Sequence, residues 1–378
     1  MNGERAIVLG AGFAGLGTAA MLQRRGVPAL VLERSDSVGA SWRNRYGSLR
    51  LNTLRWMSTL KGYRMPRRYG RWPTRDQVIE YLEDYAREER LLIEFDTEAK
   101  RVDRSNGGWT VKTSAGDFGA PAVVVAVGYD HDPLLPDWPG REGFTGELLH
   151  ASAYREPGPF HGRDVLVVAP GNTGSEIACE LARNGARRVR AAMRSTPNVI
   201  CREWLRIPTP VTAYGLDRLS RRTADRILGG AQRLIMGDLS KVGFGPPTHG
   251  MATNVLERKV APVVDAGFVG ALRRGEVELV AAVEGFDGAD VILVDGMRIQ
   301  PEVVIAATGY RRGLNPLVGH LDVLGDDGEP LYNGVPANPT SPGLYFVGYG
   351  LWIRGQLPRT SHDTRRVARA ISRDLAER

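Results

Sequence analysis

The feature that most constrains this chain is a glycine-rich turn directly after its first apolar segment. The run Ala6 to Leu9 is short and apolar, and it ends in Gly10-Ala11-Gly12-Phe13-Ala14-Gly15; helical character then continues to Arg25, before Gly26. This order predicts a strand, a tight turn and a helix. In such a unit the first glycine makes the turn, the second admits a pyrophosphate, and the third lets the helix pack on the strand. We call residues 10–15 the first glycine loop.

An acidic residue stands where a unit of this kind contacts a ribose. The next predicted strand, Ala29 to Leu32, ends at Glu33, about twenty residues beyond the glycines. A carboxylate accepts hydrogen bonds from ribose hydroxyls and repels a 2′-phosphate. The first glycine loop therefore predicts FAD rather than NADP. The candidate contacts are Gly10, Gly12, Phe13, Ala14, Gly15, Glu33 and Arg34.

A second unit of the same form occurs later in the chain. A buried-strand run, Asp164 to Val168, precedes Ala169-Pro170-Gly171-Asn172-Thr173-Gly174 and a helix from Ser175 to Asn184. Ala169 stands where the first glycine belongs, and its methyl group either tightens or strains the turn, because glycine adopts positive φ freely. The two glycines that face pyrophosphate and helix are kept. Residues 171–174, the second glycine loop, therefore predict a second dinucleotide.

The strand after the second glycine loop ends in a basic residue. Arg188 to Ala192 is followed by Met193-Arg194-Ser195, so Arg194 takes the place that Glu33 has in the first unit. An arginine binds a 2′-phosphate through paired hydrogen bonds worth ~1.5–3 kcal/mol, a factor of ~10–100 in affinity. NADPH is therefore the predicted second cofactor. The alternative is that Arg194 is an ordinary surface charge.

Between the two loops lies the stretch Phe144 to Tyr154, which reads FxGxxxHxxxY. Alone, it is also compatible with a turn that leads into a strand. Because it stands between two cofactor signatures, we interpret it as the junction between two domains, where His150 and Tyr154 sense both cofactors. We expect His150 to couple the placement of NADP⁺ to the flavin chemistry and not to act as a nucleophile.

A long irregular segment follows Glu33 and contains the aromatic residues Trp42, Tyr46 and Trp56. Irregular segments of this length are usually functional or disordered, and the aromatic residues argue against disorder. Trp42 is a candidate cofactor contact. Asn52 is the residue of interest in this segment, and from composition alone a turn or cap asparagine is the preferred interpretation.

The remaining elements predict how the units are joined. The strand ending at Gly128 is expected to return to the first sheet, as are Val303 to Tyr310 and a last strand that ends at Gly348. The sequence thus predicts an α/β flavoprotein in which a Rossmann-like NADPH domain, residues 156–295, is inserted in a Rossmann-like FAD domain, residues 1–155 and 296–378. Gly128, Thr308, Gly309 and Gly348 join the candidate cofactor contacts.

Several shorter elements are also predicted. Thr74 caps a helix from Arg75 to Glu89, and residues 105–108 make a hairpin turn. A helix from Arg218 to Leu234 is expected to break at Gly229-Gly230, and Ser361 is expected to start the terminal helix.

Composition excludes several other classes of protein. The 378 residues carry a net charge of +7, but the arginines are spread over the chain, so a solvated surface is preferred to a nucleic-acid or membrane site. Apolar runs are far shorter than the ~20 residues that span a bilayer. Two cysteines, Cys179 and Cys201, form no CxxC pair and no metal cluster. We expect a cytoplasmic protein without a metal; the oligomeric state stays open, with a homodimer as one option.

Taken together, these motifs resemble the flavin-containing monooxygenases over essentially the whole chain. The resemblance rests on the order of the two glycine loops, the stretch Phe144 to Tyr154, and Ala307-Thr308-Gly309-Tyr310. Within that family the chain is most similar to the YUCCA branch, through Tyr81 to Ala86 and Pro262 to Asp265. No Trp-Pro follows the stretch Phe144 to Tyr154, which makes Baeyer–Villiger oxidation less expected.

The resemblance implies FAD, NADPH as reductant, and a flavin hydroperoxide that transfers one oxygen atom from O₂ to a small organic substrate. It places Asn52, after Tyr46 to Leu49, near the flavin, which makes Asn52 a candidate catalytic residue. Oxygenation of nitrogen or sulfur and oxidative decarboxylation of an arylpyruvate-like 2-oxo acid both fit. Arg50, Arg55 and Arg354 are candidates to hold an acidic substrate. The rival hypotheses are a flavin-dependent reductase or oxidase without oxygen transfer, and a non-catalytic FAD-binding protein.

Overall fold

The chain divides into two compact units. The computed structural model describes residues 5–169, 171–205, 207–209, 215–216, 219–335 and 338–377, so that Pro170 and Arg218 lie outside the described residues. The first unit comprises Met1–Asp132 and Tyr310–Arg378, and the second comprises Pro133–Gly309. In sequence, the second unit therefore interrupts the first.

The regular elements fall into three groups along the chain. Before the second unit come β1 (Ala6–Leu9), α1 (Phe13–Gln23), β2 (Ala29–Leu32), α2 (Ala40–Arg43), α3 (Arg75–Glu88), β3 (Ile93–Glu94), β4 (Ala99–Ser105), β5 (Gly108–Thr113), β6 (Gly116–Ala120), β7 (Val123–Val125) and β8 (Asp132–Pro133). The second unit contains β9 (Glu147–His150), β10 (Asp164–Val168), α4 (Asn172–Arg183), β11 (Arg188–Met193), β12 (Val199–Cys201), β13 (Glu203–Trp204), β14 (Ile207–Pro208), α5 (Arg221–Met236), α6 (Met251–Leu256), β15 (Val263–Asp265), α7 (Phe268–Arg273), β16 (Glu278–Ala281), β17 (Val283–Asp287), β18 (Asp290–Leu293), β19 (Arg298–Ile299) and β20 (Val303–Ala306). After it come β21 (Tyr310–Arg311), α8 (Asn315–Val318), β22 (Leu344–Phe346) and α9 (Gln356–Ala376).

A five-stranded parallel sheet forms the centre of the first unit, in the order β22-β7-β1-β2-β3. Side chains on one face, such as Val8 and Val124, pack against the helices α1, α3 and α9. Side chains on the other face, such as Ile7 and Val125, pack against Trp109 of the antiparallel sheet β4-β5-β6. Because both faces are covered, the strands β22, β7, β1 and β2 are apolar along their whole length.

The second unit repeats this design. Its parallel sheet has the order β16-β11-β10-β20-β9. One face packs Leu166 and Val304 against Phe286 and Val291 of the antiparallel sheet β17-β18-β19. The helix α4 contacts β10 and β11. Each unit therefore has a parallel sheet, an antiparallel sheet on one face, and a helix that follows a glycine loop.

The structure confirms the predicted α/β class and corrects which sheet one of the predicted strands joins. The prediction that Val303 to Tyr310 returns to the first sheet is wrong, because β20 pairs with β10 and β9 in the second sheet. The same pairing places β9 in the second unit. Along the chain, the second unit therefore begins after Asp132 and ends at Gly309, whereas the sequence analysis places these boundaries after residues 155 and 295.

The predictions for single caps, turns and helices are confirmed in part. The Thr74 cap is confirmed, with a reciprocal hydrogen bond from the Thr74 N–H to the Gln77 side chain, and so is the hairpin at residues 105–108. The terminal helix begins at Gln356 and not at Ser361, because Pro358 lies in its first turn, where a missing N–H removes no helical hydrogen bond. The helix α5 is continuous through Gly229 and Gly230. Within the described residues, no helix is both long and apolar enough to cross a membrane.

Candidate functional site

The first glycine loop has the close backbone packing that its sequence predicts. Gly10 has a φ of +101°, and a Cβ there would lie 2.7 Å from the carbonyl oxygen of Ala126. A Cβ on Gly15 would lie only 1.8 Å from the Gly10 oxygen. Gly12, the N-cap of α1, has no atom within 4 Å of its Cβ position and offers no side chain to the first helical amides. These amides therefore lie open to an anionic group.

Glu33 lies directly beside this loop. Its Oε2 accepts a hydrogen bond from the Ala11 N–H at 2.6 Å, and its Oε1 accepts one from the Ser35 N–H at 3.0 Å. A carboxylate accepts about four hydrogen bonds, so acceptor positions are left for ribose hydroxyls. Arg34 is exposed, with its guanidinium 3.1 Å from the Nε2 atom of His131.

Two further candidate residues lie close to the first glycine loop. The N–H of Gly39, the N-cap of α2, donates to the Ala11 carbonyl at 3.1 Å. Trp42 of the same short helix is half-buried against the core on the α1 face of the sheet, as is Ala14. Gly128 follows β7 with a φ of +106° and open space at its Cβ position.

The end of the last strand and the start of α9 also lie at this loop. Gly348 has a φ of +104°, and its Cβ position lies 3.3 Å from the Ala14 side chain. The Gln356 side chain donates to the Gly348 carbonyl at 2.9 Å. Gly355 is the N-cap of α9, and its Cβ position lies 2.3 Å from Cγ2 of Thr53. The irregular segment that contains half-buried Asn52 is thereby brought to the start of α9.

The second glycine loop is built in the same way, with one strained residue. A Cβ on Gly174 would lie 2.7 Å from the Ala169 oxygen, whereas Gly171, the N-cap of α4, has open space at its Cβ position. Ala169 adopts a φ of +63°, the left-handed region that glycine would occupy. The turn therefore forms with alanine at a steric cost, and the first amides of α4 lie open.

The other candidate residues at the second glycine loop are Asn172, Thr173 and Arg194. The Asn172 side chain donates to the Pro262 carbonyl at 3.0 Å and accepts from the Val264 N–H at 2.7 Å. These bonds hold the start of α4 to β15. Thr173 is half-buried in the first turn of α4, and Arg194 is exposed, one residue beyond β11.

His150 is buried and bonded on both ring nitrogens. Nδ1 accepts from the Ser152 N–H at 3.0 Å, and Nε2 lies 3.0 Å from the Gly309 carbonyl oxygen. A carbonyl oxygen only accepts, so Nε2 carries the proton and the ring is neutral. Gly309 itself has a φ of +87°. The ring therefore links the end of β9 to the turn after β20. In that turn, the Thr308 hydroxyl donates to the Leu134 carbonyl.

Tyr154 is part of the core of the second unit. Its side chain is almost fully buried and stacks on Phe160, and its hydroxyl donates to the Glu180 carboxylate of α4 at 2.9 Å. Burial, followed by the nearby Glu180 charge, raises the pKa of Tyr154. The stretch Phe144 to Tyr154 thus belongs to the second unit and is not a domain junction, because β9 is an edge strand of the second sheet.

Sequence reasoning missed several polar residues at the start of α9. Asp363 is buried and accepts hydrogen bonds from Asn333 at 3.2 Å and from Arg359 at 2.7 Å, while Asn333 accepts from the Tyr349 N–H at 3.1 Å. The sequence does carry a signal for them: Thr360, Asp363 and Thr364 continue the inward stripe of Val367 and Ile371 at helical spacing.

The buried thiol of Cys179 does not have the environment of a redox thiol. Both Cys179 and Cys201 are free, and burial raises the pKa of Cys179 to about 12. A thiolate is the nucleophile in disulfide exchange, so Cys179 is not suited to that chemistry. No group of three metal-ligating side chains occurs in the described parts of the chain.

Comparison with known proteins gives matches along the chain. The family model described as pyridine nucleotide-disulphide oxidoreductase matches residues 7–207. Indole-3-pyruvate monooxygenase YUCCA1 of Oryza sativa subsp. japonica is 35% identical, over 99% of this chain and 92% of that protein. Probable indole-3-pyruvate monooxygenase YUCCA3 of Arabidopsis thaliana is 32% identical, over 98% and 86%. The solved flavin-containing monooxygenase of Stenotrophomonas maltophilia has the same fold, with a TM-score of 0.77, 22% identity, and coverage of 99% and 100%.

The strain at the second glycine loop gives a direct prediction. Ala169→Gly should raise the free energy of unfolding by about 1 kcal/mol, because glycine adopts this backbone conformation without a Cβ clash. Urea unfolding of both proteins measures the change. Ala11→Gly is the matched control: Ala11 is fully buried in the first loop and is not among the residues with positive φ, so this change should lower stability. A loss of stability in Ala169→Gly would contradict the strain.

Proposed function

Because the chain belongs to the flavin-dependent monooxygenase family that includes the YUCCA enzymes, we propose that it oxidatively decarboxylates an aryl-substituted 2-oxo acid. The observation that carries this proposal is the full-length similarity to relatives named indole-3-pyruvate monooxygenase, at 35% identity in one case. The family's cofactors are FAD and NADPH. The small partners of the reaction are therefore O₂ and an organic acid.

The overall reaction balances with these partners. The 2-oxo acid RCH₂COCOOH, O₂, NADPH and one proton give RCH₂COOH, CO₂, NADP⁺ and water. The bond between the two carbonyl carbons breaks, and one oxygen atom of O₂ enters the new carboxylic acid. The other oxygen atom leaves as water, reduced by the two electrons of NADPH.

The first unit fits FAD. The open amides at Gly12 suit its pyrophosphate, and Glu33 has acceptor positions for its ribose hydroxyls. Gly348 and Gly128 present backbone without side chains near this loop. When bound, the flavin supplies the activation of O₂, and the protein supplies orientation and exclusion of water. The proposal keeps Asn52 as a catalytic residue because Thr53 packs against the start of α9.

The second unit fits NADPH. The open amides at Gly171 suit a pyrophosphate, and exposed Arg194 carries the positive charge that a 2′-phosphate needs. His150 and Tyr154 act through their partners: the imidazole holds the Gly309 carbonyl, and the phenol holds α4 through Glu180. We therefore assign both to positioning the NADPH unit and not to direct contact with substrate.

A disulfide reductase is the less suitable alternative, since the raised pKa of Cys179 disfavours its thiolate. Free thiols also fit the cytoplasmic location that we propose. A reductase or oxidase without oxygen transfer, and a non-catalytic FAD-binding protein, are separated from the proposal by the products of the reaction.

The proposed reaction is tested with the FAD-loaded protein. We expect NADPH to bleach the flavin without oxygen, and ¹⁸O₂ with phenylpyruvate then to give phenylacetate with one labelled oxygen atom per NADPH consumed. Thioanisole tests the alternative of sulfur oxygenation. Hydrogen peroxide without an oxygenated product would indicate an oxidase, and a flavin that NADPH does not bleach would indicate a non-catalytic protein.

The role of Arg194 is tested by removing its charge. Arg194→Gln should raise KM for NADPH by about 10–100-fold, the loss of a charge-assisted hydrogen-bonded pair, and leave KM for NADH unchanged. Arg222→Gln, at another exposed arginine of the second unit, is the control and should change neither value. An equal effect on NADPH and NADH, or a wild-type preference for NADH, would refute this role.

The role of His150 is tested by the coupling of NADPH oxidation to product formation. His150→Ala removes the hydrogen bond to Gly309, worth about 1 kcal/mol, and should lower the ratio of product to NADPH consumed by about fivefold. His150→Gln keeps a donor and should restore part of the coupling. His320→Ala, at a histidine bonded to Asp103 in the first unit, is the control. Unchanged coupling in His150→Ala would make this residue purely structural.

A further inference from the structure

Arg50 and Arg55, which the sequence singles out for an acidic substrate together with Arg354, donate hydrogen bonds to backbone carbonyls. Arg50 donates to the Trp72 carbonyl at 3.3 Å. Arg55 donates to the carbonyls of Gly70 and Met65, at 3.1 and 2.8 Å. These bonds tie together the irregular segment between α2 and α3. Their guanidinium groups therefore serve the conformation of this segment.

Arg354 stacks on an aromatic ring. The Arg354 guanidinium carbon lies 4.0 Å from the centre of the Trp352 indole ring, and that of Arg359 lies 5.5 Å from the same ring. Arg359 pairs with the buried carboxylate of Asp363 at 2.7 Å. We call these four residues the Trp352 cluster. The cluster contains two guanidinium groups and one carboxylate in a half-buried place, where charges interact more strongly than in water.

The Trp352 cluster is connected to the candidate flavin site. Arg354 directly precedes Gly355, which packs against Thr53, the neighbour of Asn52. Two residues beyond Arg354, the Gln356 side chain donates to the carbonyl of Gly348, which lies against Ala14 of the first glycine loop. The arginine, the segment of Asn52 and the first loop are thus parts of one region of the first unit.

We propose that Arg354, stacked on Trp352, binds the carboxylate of the substrate and determines the preference for acidic over neutral substrates. This inference rests on the proposed decarboxylation, which requires a 2-oxo acid. A guanidinium matches a carboxylate with two parallel hydrogen bonds, a geometry that lysine does not reproduce. Stacking on the indole ring restricts the side chain before the substrate arrives, which reduces the entropy lost on binding. An aryl 2-oxo acid also has a ring of its own that suits the aromatic surroundings.

The experiment uses the full-length, FAD-loaded protein and two variants, Arg354→Gln and Arg354→Lys. Calorimetry measures the Kd of phenylacetate, an aryl carboxylate that does not react. Calorimetry also measures the Kd of neutral phenylacetamide, and steady-state kinetics measures KM and kcat for phenylpyruvate. Arg68→Gln is the matched control, since Arg68 also stacks on a ring, with its guanidinium carbon 5.1 Å from the centre of Tyr69, and pairs with Glu80.

Arg354→Gln should raise the Kd of phenylacetate and KM for phenylpyruvate by about 10–100-fold, the loss of a charge-assisted bidentate pair. Arg354→Lys, which keeps the charge without the planar fork, should have a smaller effect of the same sign. The Kd of neutral phenylacetamide should not change in either variant. If Arg354→Gln does not retain FAD, the lysine variant gives the comparison.

Each outcome decides one of the two proposals. Unchanged phenylacetate binding in both variants, an equal loss of phenylacetamide binding, or a wild-type protein that binds no phenylacetate would overturn the role of Arg354. Decarboxylation of phenylpyruvate with unchanged binding in the variants would overturn this role while the proposed reaction stands. Binding of phenylacetate that depends on Arg354, without any decarboxylation, would support the carboxylate site and overturn the proposed reaction.

Discussion

The close approach of a helix to the turn before it is the constraint on which both units depend. In the first unit the Cβ position of Gly15 lies 1.8 Å from the Gly10 oxygen, so only glycine allows α1 to start so near β1. In the second unit Gly174 has the same relation to the Ala169 oxygen, at 2.7 Å. This packing leaves the first amides of each helix without side-chain caps and next to the ends of parallel strands. The partial positive charge of a helix N-terminus then favours a pyrophosphate at each loop.

Packing on the two faces of each sheet holds these loops in place. In both units one face of the parallel sheet is covered by an antiparallel three-stranded sheet, through Trp109 in the first and Phe286 in the second. Full burial of the strands also permits the strained backbone of Ala169, because the surrounding structure fixes the turn at more than one point: the Ala169 N–H donates to the Ala192 carbonyl, and its oxygen accepts from the Gly171 N–H.

Much of this organisation could be predicted from the sequence, because it is encoded locally. Strand, turn and helix follow one another at both glycine loops, and Thr74 with Gln77 caps α3. The partner of a strand is not encoded in this way. The run Val303 to Ala306 is as apolar as Val123 to Val125, and this pattern reports burial on both faces without saying which sheet receives the strand. The side-chain role of Asn172 was hidden for the same reason, since its partners at Pro262 and Val264 lie about ninety residues away in sequence.

The polar residues of the candidate site differ in what they can do. Glu33 and His150 are buried and bonded to backbone groups, so they fix the positions of loops. In a family whose cofactors carry out the bond making, such residues provide orientation. Recognition of an anion needs a different kind of side chain, one that keeps its charge while reaching a partially exposed surface. Arginine meets this requirement because its guanidinium stays protonated and is weakly hydrated. Exposed Arg194 and half-buried Arg354 are therefore suited to different anions, a cofactor phosphate in the second unit and a substrate carboxylate in the first.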